Sequence, residues 1–528
     1  MTATGTTYDR RWRTLAVLSL SLVVIGLDNT VLNVALPSLQ EDLDLSGSTL
    51  QWVVDAYMLV FAGLLLAAGT LGDRYGRKLA LQSGLAIFGL ASVGGAFAET
   101  GEQLIAARAA MGVGAALIMP TTLSIIMDVF PQEERGKAIG VWAGMAAVGI
   151  GLGPLIGGAL IELSSWPAVF WVNVPVILAA LGLGAVLVPE SRDPGPGRLD
   201  VPGVLLSIAA LGTLVWAVIE APARGWGDGL VLAGFAAAVV LGALFVRRQR
   251  RAENPLLDLD LFRRPAFSIG SLAISTGFFA LFGMLFLVAQ YLQFVQGKSA
   301  LETGVQMLPI AAGLVLGSGL SHRINVRVGA PRQIAAGLTV LAVALASVVL
   351  WTPGTPYWAI GLFFFVVPFA MGNVMAPASE AVMSAVPLAK AGVGSAMNDV
   401  NRMVAGALGV AIVGSAASSA YTARVEDATA GLPEPAAAAA GESIGAATAV
   451  AAELPGAAGD ALAVAAGQAF TDALGLALLI AAGAALAAAV VVRRALPGQA
   501  SASTPSRSPS PRWKKSQSST TLPSGSST

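Results

Sequence analysis

The chain has 528 residues, 55% of them hydrophobic and only 12% charged, against roughly 25% charged in an ordinary soluble domain, so it is read as a membrane protein. It has no cysteine and a single histidine, His322, which excludes disulfides, thiolate metal sites, cysteine nucleophiles and histidine-cluster metal centres. The formal net charge is +0, but the balance hides a strong segregation along the chain.

Arg10, Arg11 and Arg13 precede a long apolar run. It is too long for a signal peptide, and Asn33 to Pro37 is a poor cleavage site, so the run reads as a retained first span. Asp28 interrupts it without ending it, roughly 20 Å from its start by helical rise and past the middle of the hydrocarbon. An acid there costs about 2.5 to 3.5 kcal/mol on insertion scales, so it is expected to face a protein interior or a watery cavity. Asn29 and Asn33 share its helical arc and extend it into a polar stripe. The stripe is either a site for a proton or cation, or a structural acid buried by a hydrogen-bonding neighbour.

Further apolar runs of spanning length follow at 50–71, 79–98, 104–128, 138–161, 168–188, 202–221 and 229–246. The series continues at 267–294, 303–321, 333–351, 357–378, 392–418 and 470–492, making fourteen spans with the first at 14–37. With a cytoplasmic N-terminus, the inner segments collect Arg74, Arg77, Lys78, Arg135, Lys137, Arg192, Arg198, Arg247, Arg248, Arg250, Arg251, Arg263, Arg264, Arg323, Arg327, Arg332 and Lys390. The outer segments hold Arg224, Lys298 and Arg424 beside Glu41, Asp42, Asp44, Glu99 and Glu102. This bias follows the positive-inside rule and predicts both termini on the cytoplasmic side. Abundant alanine and glycine, with arginine preferred to lysine, suggest a GC-rich bacterial genome and hence the plasma membrane.

Arg74-Tyr75-Gly76 after the second span is echoed by Arg327-Val328-Gly329 after the tenth, and Pro131 to Gly136 more loosely by Pro387 to Gly392. Two homologous halves explain the echoes; chance among short Gly and Arg motifs is the alternative. The expected organisation is a cytoplasmic segment at 1–13, a six-helix bundle at 14–190 and two inserted helices with a basic loop at 191–265. A second six-helix bundle follows at 266–494, with a long outer loop at 421–468, and then a disordered cytoplasmic tail at 495–528. The fold class is thus an all-α polytopic membrane protein.

The most specific stretch is Gly69-Thr70-Leu71-Gly72-Asp73-Arg74-Tyr75-Gly76-Arg77-Lys78. It resembles the loop between the second and third helices of the major facilitator superfamily, in which glycines permit a tight turn and the charges form a conformational latch. Asp128 is the expected partner of Arg77, with Glu133 and Glu134 as alternatives. In the fifth span Gly149, Gly153 and Gly157 recur every four residues, with Gly151, Pro154 and Gly158 beside them. Small residues at that spacing make a groove for another helix, and the proline removes an amide hydrogen. The order Gly153-Pro154-Leu155-Ile156-Gly157-Gly158 resembles the motif of proton-coupled antiporters and so implies export.

Arg108, in Leu104 to Gly112, is similar to an arginine that this superfamily uses in proton coupling; the alternative is a side chain that snorkels to the outer surface. Trp52-Val53-Val54-Asp55-Ala56-Tyr57 resembles a segment of exporters of quaternary ammonium compounds, where the acid attracts cations, or else Asp55 is merely hydrated at the interface. Leu27 to Pro37, Asn254 to Asp258 and Gly394 to Asp399 resemble the fourteen-helix drug:proton antiporter family, so the likeness covers nearly the whole chain. Trp166-Pro167-Ala168 departs from the family pattern, while Val172-Asn173-Val174-Pro175 fits it. Asp399 and Arg402 are read as neutralising each other, and Glu220 is left out of transport. Phe278, Phe279, Phe282, Met284 and Phe286 either line an adaptable cavity or face lipid.

The resemblance implies a secondary transporter rather than an enzyme: a multidrug exporter driven by the proton gradient, without cofactor or metal. Its partners are drug-like compounds, protons and the bilayer, without nucleic acid, and a monomer is expected. Asp28, Asp55 and Arg108 are the coupling candidates. Rival readings are an exporter of one endogenous metabolite or self-made antibiotic, a membrane sensor, and an ATP-driven pump or membrane enzyme. The pump is disfavoured because Gly297-Lys298-Ser299 has Leu292 where a phosphate loop needs glycine.

Overall fold

The computed structural model describes residues 5–192, 200–252, 255–386 and 391–496, and all regular structure among them is helical. The expectations for Arg198, Asn254, the segment 387–390 and the tail from 497 lie outside these residues.

The first seven helices are α1 (Gly5–Asp42), α2 (Gly47–Tyr75), α3 (Arg77–Ala96), α4 (Gly101–Val129), α5 (Gln132–Leu163), α6 (Ala168–Trp171) and α7 (Asn173–Leu187). Next come α8 (Val201–Arg224) and α9 (Gly229–Arg251), then α10 (Pro265–Gln290), which runs on as a π-helix over Tyr291–Val295. The remainder are α11 (Ala300–Gln306), α12 (Pro309–Val328), α13 (Ala330–Ala346), α14 (Tyr357–Ser384), α15 (Ala391–Thr429), α16 (Glu434–Glu442), α17 (Ile444–Glu453) and α18 (Ala457–Ala495). Joined across their short breaks, these helices give 13 candidate spans among the described residues. The 32-residue α5, whose apolar part is Val148–Leu163, makes the remaining member of the fourteen-span pattern.

Several boundaries differ from the hydropathy reading, each for a local reason. The ninth segment, α10, carries short non-α ends, Leu259–Arg263 before it and Tyr291–Val295 after it, where the hydrogen-bond register changes. The 303–321 run divides at Leu308, because Pro309 opens α12. The last span starts at Ala457 rather than 470, its alanine-rich first turns being helical as well.

Successive spans reverse direction, so the chain start, the α2–α3 turn and the α12–α13 turn share one end of the molecule, called here the terminal end. Among α1 to α7 the packing runs α1 on α5 and α7, and α4 on α2 and α3. Among α10 to α18 it runs α10 on α15, α12 on α14, and α13 on α18. The two sets meet where α5 packs on α11 and α2 on α15, mainly near the far end: Gly158 abuts the Ala300 backbone, and Gln51 abuts Gly414. Gln293 Nε2 also donates to the Val34 carbonyl at 2.9 Å. The far end is capped by α16 and α17, held by Gln40 Nε2 to Ser443 Oγ at 2.6 Å.

α8 packs against α2 and α15, whereas α9 packs on α8. The base of this hairpin is closed by buried Asp200, which accepts from Gly203 N at 3.2 Å, Arg248 Nε at 2.9 Å and Gln249 Nε2 at 3.0 Å. Gln249 Oε1 in turn accepts from Leu257 N at 3.0 Å, fixing the chain that leads to α10.

Candidate functional site

Asp28 of α1 and Arg108 of α4 are each 1% exposed, and they form an ion pair, Arg108 Nη1 to Asp28 Oδ2, at 2.6 Å. Arg108 does not snorkel. Its Nε donates to the Val53 carbonyl at 3.1 Å, and its guanidinium lies 4.5 Å from the centre of the Tyr57 ring. The other oxygen of Asp28 faces Asn173 Nδ2 of α7 at 3.4 Å. Asn173 also reaches Ser92 Oγ of α3 at 3.1 Å, and Ser92 donates to the Phe170 carbonyl at 2.8 Å. Five helices, α1, α2, α3, α4 and α7, therefore converge on one carboxylate. Two opposite charges in hydrocarbon are tolerable only when paired and hydrogen-bonded, and removal of one partner typically costs about 3 to 5 kcal/mol.

The rest of the stripe serves its own helix. Asn29 Nδ2 donates to the Ile25 carbonyl at 2.7 Å and Asn33 Nδ2 to the Asn29 carbonyl at 3.3 Å. Asp55 stands apart from Asp28 and Arg108. It is 0% exposed, and neither carboxylate oxygen has a hydrogen-bond partner. On α2, Tyr57, Val60 and Phe61 meet Gly112 of α4, while Gln51 and Met58 meet Gly414 and Gly406 of α15, and Gly63 meets Ile208 of α8. Helical spacing puts Asp55 on the α8–α15 face, opposite α4.

At the terminal end, Gly76 turns the chain between α2 and α3 with φ 119°, a region open to glycine and strained for other residues. Arg77 Nε bonds Asp73 Oδ1 at 2.8 Å, and its Nη1 pairs with Asp128 of α4. Lys78 Nζ donates to the Ala185 carbonyl at 2.7 Å, and Arg74 lies over the Tyr75 ring. A side chain at Gly69 would touch Pro120, and one at Gly72 would crowd Thr121, so α2 and α4 lie close there. Glu134 pairs instead with Arg11 through two bonds of 2.8 and 3.1 Å, and this hydrogen bonding holds its carboxyl below the ordinary glutamate range.

α5 is wedged between two helices. A Cβ at Gly149 would lie 2.9 Å from Leu27 N, one at Gly153 would lie 3.0 Å from the Leu27 carbonyl, and one at Gly157 would lie 2.7 Å from the Val31 side chain. Its other face meets α11, where Gly158 abuts the Ala300 backbone and Gly304 the Pro154 carbonyl.

The sequence profile of the Major Facilitator Superfamily matches residues 18–410. The chain belongs to the major facilitator superfamily. It is a transporter, not an enzyme, and is related to multidrug and antibiotic efflux pumps of that superfamily. It is 40% identical over 444 residues to the multidrug efflux pump LfrA of Mycolicibacterium smegmatis, covering 84% of this chain and 88% of that one. It is 34% identical to the tetracenomycin C resistance and export protein of Streptomyces glaucescens, over 77% of this chain and 76% of the relative. To the methyl viologen resistance protein SmvA of Salmonella typhimurium it is also 34% identical, over 83% and 88%. Among solved structures, a bacterial homolog of the human lysosomal transporter Spinster, inward-facing and occupied, aligns with TM-score 0.63 at 20% identity, over 92% of this chain and 97% of that one. A D-xylose–proton symporter aligns with TM-score 0.60 at 16% identity over 92% and 97%, so the all-helical facilitator fold is shared.

In this major facilitator protein, Ser92 and Asn173 are members of the polar cluster that were not singled out as site residues. Asn173 had a signal, an amide in a long apolar run; Ser92 had none. Asp399 and Arg402 pair at 3.5 Å, and Arg402 also lies over Phe278. Phe282, Met284 and Phe286 are buried within the protein, with Phe282 against Gly406 and Phe286 against Gly414, so lipid does not cover them.

Proposed function

We propose that this transporter exports lipophilic or cationic drugs across the bacterial plasma membrane in exchange for protons, by alternating access of the bundles 14–190 and 266–494 about a central cavity. The observation that carries the reading is the buried Asp28–Arg108 pair. A carboxylate there has three mutually exclusive partners: the Arg108 guanidinium, a proton, or a substrate cation. Protonation cancels the charge of Asp28 and frees Arg108, which keeps the Val53 carbonyl and the Tyr57 ring as alternative partners. Deprotonation restores the attraction for a cation, so occupancy by proton and substrate alternates. Inward proton movement supplies about 2.3 kcal/mol per charge per 100 mV of membrane potential.

The terminal end is assigned to the cytoplasm from its excess of arginine and lysine. With the two helix sets in contact near the far end, the conformation is then inward-facing. The exchange is assigned to Asp28 and Arg108. Asp55 takes a separate place in the α2–α8–α15 seam, and the Arg77–Asp128 contact is assigned the role of conformational latch.

The test uses inside-out vesicles with an acidified lumen and a pH-sensitive dye. Adding a lipophilic cation should release protons with the wild type and not with Asp28→Asn. Equal release by both proteins would remove Asp28 from the exchange. An exporter of one endogenous compound would be silent to the cation yet respond to its own substrate.

A further inference from the structure

Pro154 has no amide hydrogen, so the carbonyl of Ile150, four residues earlier, lacks its donor within α5. In hydrocarbon an open carbonyl must find another partner. The Thr30 hydroxyl of α1 supplies it, donating to the Ile150 carbonyl at 2.9 Å. Contacts of the same hydroxyl with carbonyls of its own helix are longer, 3.4 Å to Leu27 and 3.5 Å to Gly26. Thr30 is 4% exposed, so water does not compete. It lies two residues beyond Asp28, and Gly153 gives it room, since a Cβ at Gly153 would collide with the threonine oxygen. On the far side of the same turn, the Pro154 carbonyl packs against Gly304 of α11.

We infer that Thr30 is a positioning residue for the exchange proposed above, on which its functional role rests. Its hydroxyl ties the Asp28 stretch of α1 to the proline-opened turn of α5. A change of partner at Asp28 therefore moves α1 and α5 together, and α5 carries the displacement to α11. A second hydroxyl closes a second such gap: Ser415 of α15 donates at 2.8 Å to the Val218 carbonyl, which Pro222 leaves open in α8. That contact lies away from Asp28 and provides the control, although the same hydroxyl also reaches Gln51 Oε1 of α2 at the longer distance of 3.3 Å.

The experiment measures tetraphenylphosphonium-driven proton release by the full chain in inside-out vesicles. Thr30→Val should slow maximal release roughly tenfold, with half-saturation changed by less than about twofold, because it loses a buried bond without touching the charge. Thr30→Ser should restore the rate. With Pro154→Ala the new amide closes the Ile150 carbonyl itself, so Thr30→Val should add no further slowing in that background. Ser415→Ala, which opens an equivalent carbonyl elsewhere, should leave the rate within about twofold.

Wild-type rates for Thr30→Val, failure of Thr30→Ser to rescue, equal slowing in both backgrounds, or equal slowing by Ser415→Ala would each overturn the proposal. If Pro154→Ala does not fold, the comparison of serine with valine at position 30 decides. A wild type silent to the cation would sink the export reading alone. The unfolding midpoints of the same four proteins of the cycle would then decide, additivity overturning the Thr30–Ile150 tie and non-additivity supporting it.

Discussion

Two buried acids flank helix α2, and their surroundings are opposite. Asp28 is held by a guanidinium and an amide, with further polar groups from α2 and α3 behind them. Asp55, on the α8–α15 face of α2, has no hydrogen bond to either oxygen. On the helices packed around it, Glu220 pairs with Arg224 on α8 and Asp399 with Arg402 on α15. Burial alone thus does not identify an exchange site. What distinguishes Asp28 is a partner whose loss would leave an opposite charge stranded.

The largest expected effect is therefore at the first acid. Asp28→Asn should abolish cation-driven proton release and destabilise the protein by about 3 to 5 kcal/mol, because Arg108 is left unpaired in the interior. Adding Arg108→Met should recover much of that stability, read as the unfolding midpoint, while release stays absent. Recovery of release would show that the pair is structural.

At Asp55, replacement by Asn removes no bond, so the expected change in stability is about 1 kcal/mol or less, with proton release retained. Loss of release in a well-folded Asp55→Asn protein would break the contrast and join the two acids in one relay. An intermediate outcome is expected at the terminal end. Arg77 is mostly buried but Asp73 and Asp128 are half-exposed, so Asp128→Asn should cost about 1 kcal/mol and, because the contact is made in the inward-facing form, favour closure of that end. Accessibility of cysteines placed along α5 would report it, and an increase would contradict the latch.

The smallest effect concerns Arg11 and Glu134. Since the hydrogen bonds of Arg11 depress the carboxyl's folded-state pKa, their contribution is complete above the ordinary glutamate range and fades as pH falls through it. Hydrogen exchange at the start of α5 should therefore quicken in acid, and Arg11→Ala should remove that dependence.

Much of the architecture was legible because hydrocarbon imposes one rule on every span: apolar side chains outside and all backbone bonds within. Runs of that length, the charge bias and the Gly69 to Lys78 turn were enough to give helix number and family. The site was legible only in part. An acid in the middle of an apolar run announces itself, which is why Asp28 stood out. Its partner lies 80 residues away and sits near a span end, where an arginine is equally at home at the surface. Asp55 occupies the same kind of position as Arg108, yet it turns toward another helix, a matter of rotation that α2's own sequence does not record. Thr30 lies within the Leu27 to Pro37 resemblance, but nothing in α1 marks its role, since the need it meets belongs to Pro154 of α5.

The Asp200 knot at the foot of the α8–α9 hairpin has an architectural consequence. Its bonds to Gly203, Arg248 and Gln249 all stay within the hairpin, and Gln249 also fastens the outgoing chain. The hairpin thus closes on itself before it rejoins the rest of the chain. The length between α7 and α10 becomes a stiff strut leaning on α2 and α15, not a slack tether, so a displacement of those two helices carries the hairpin with it.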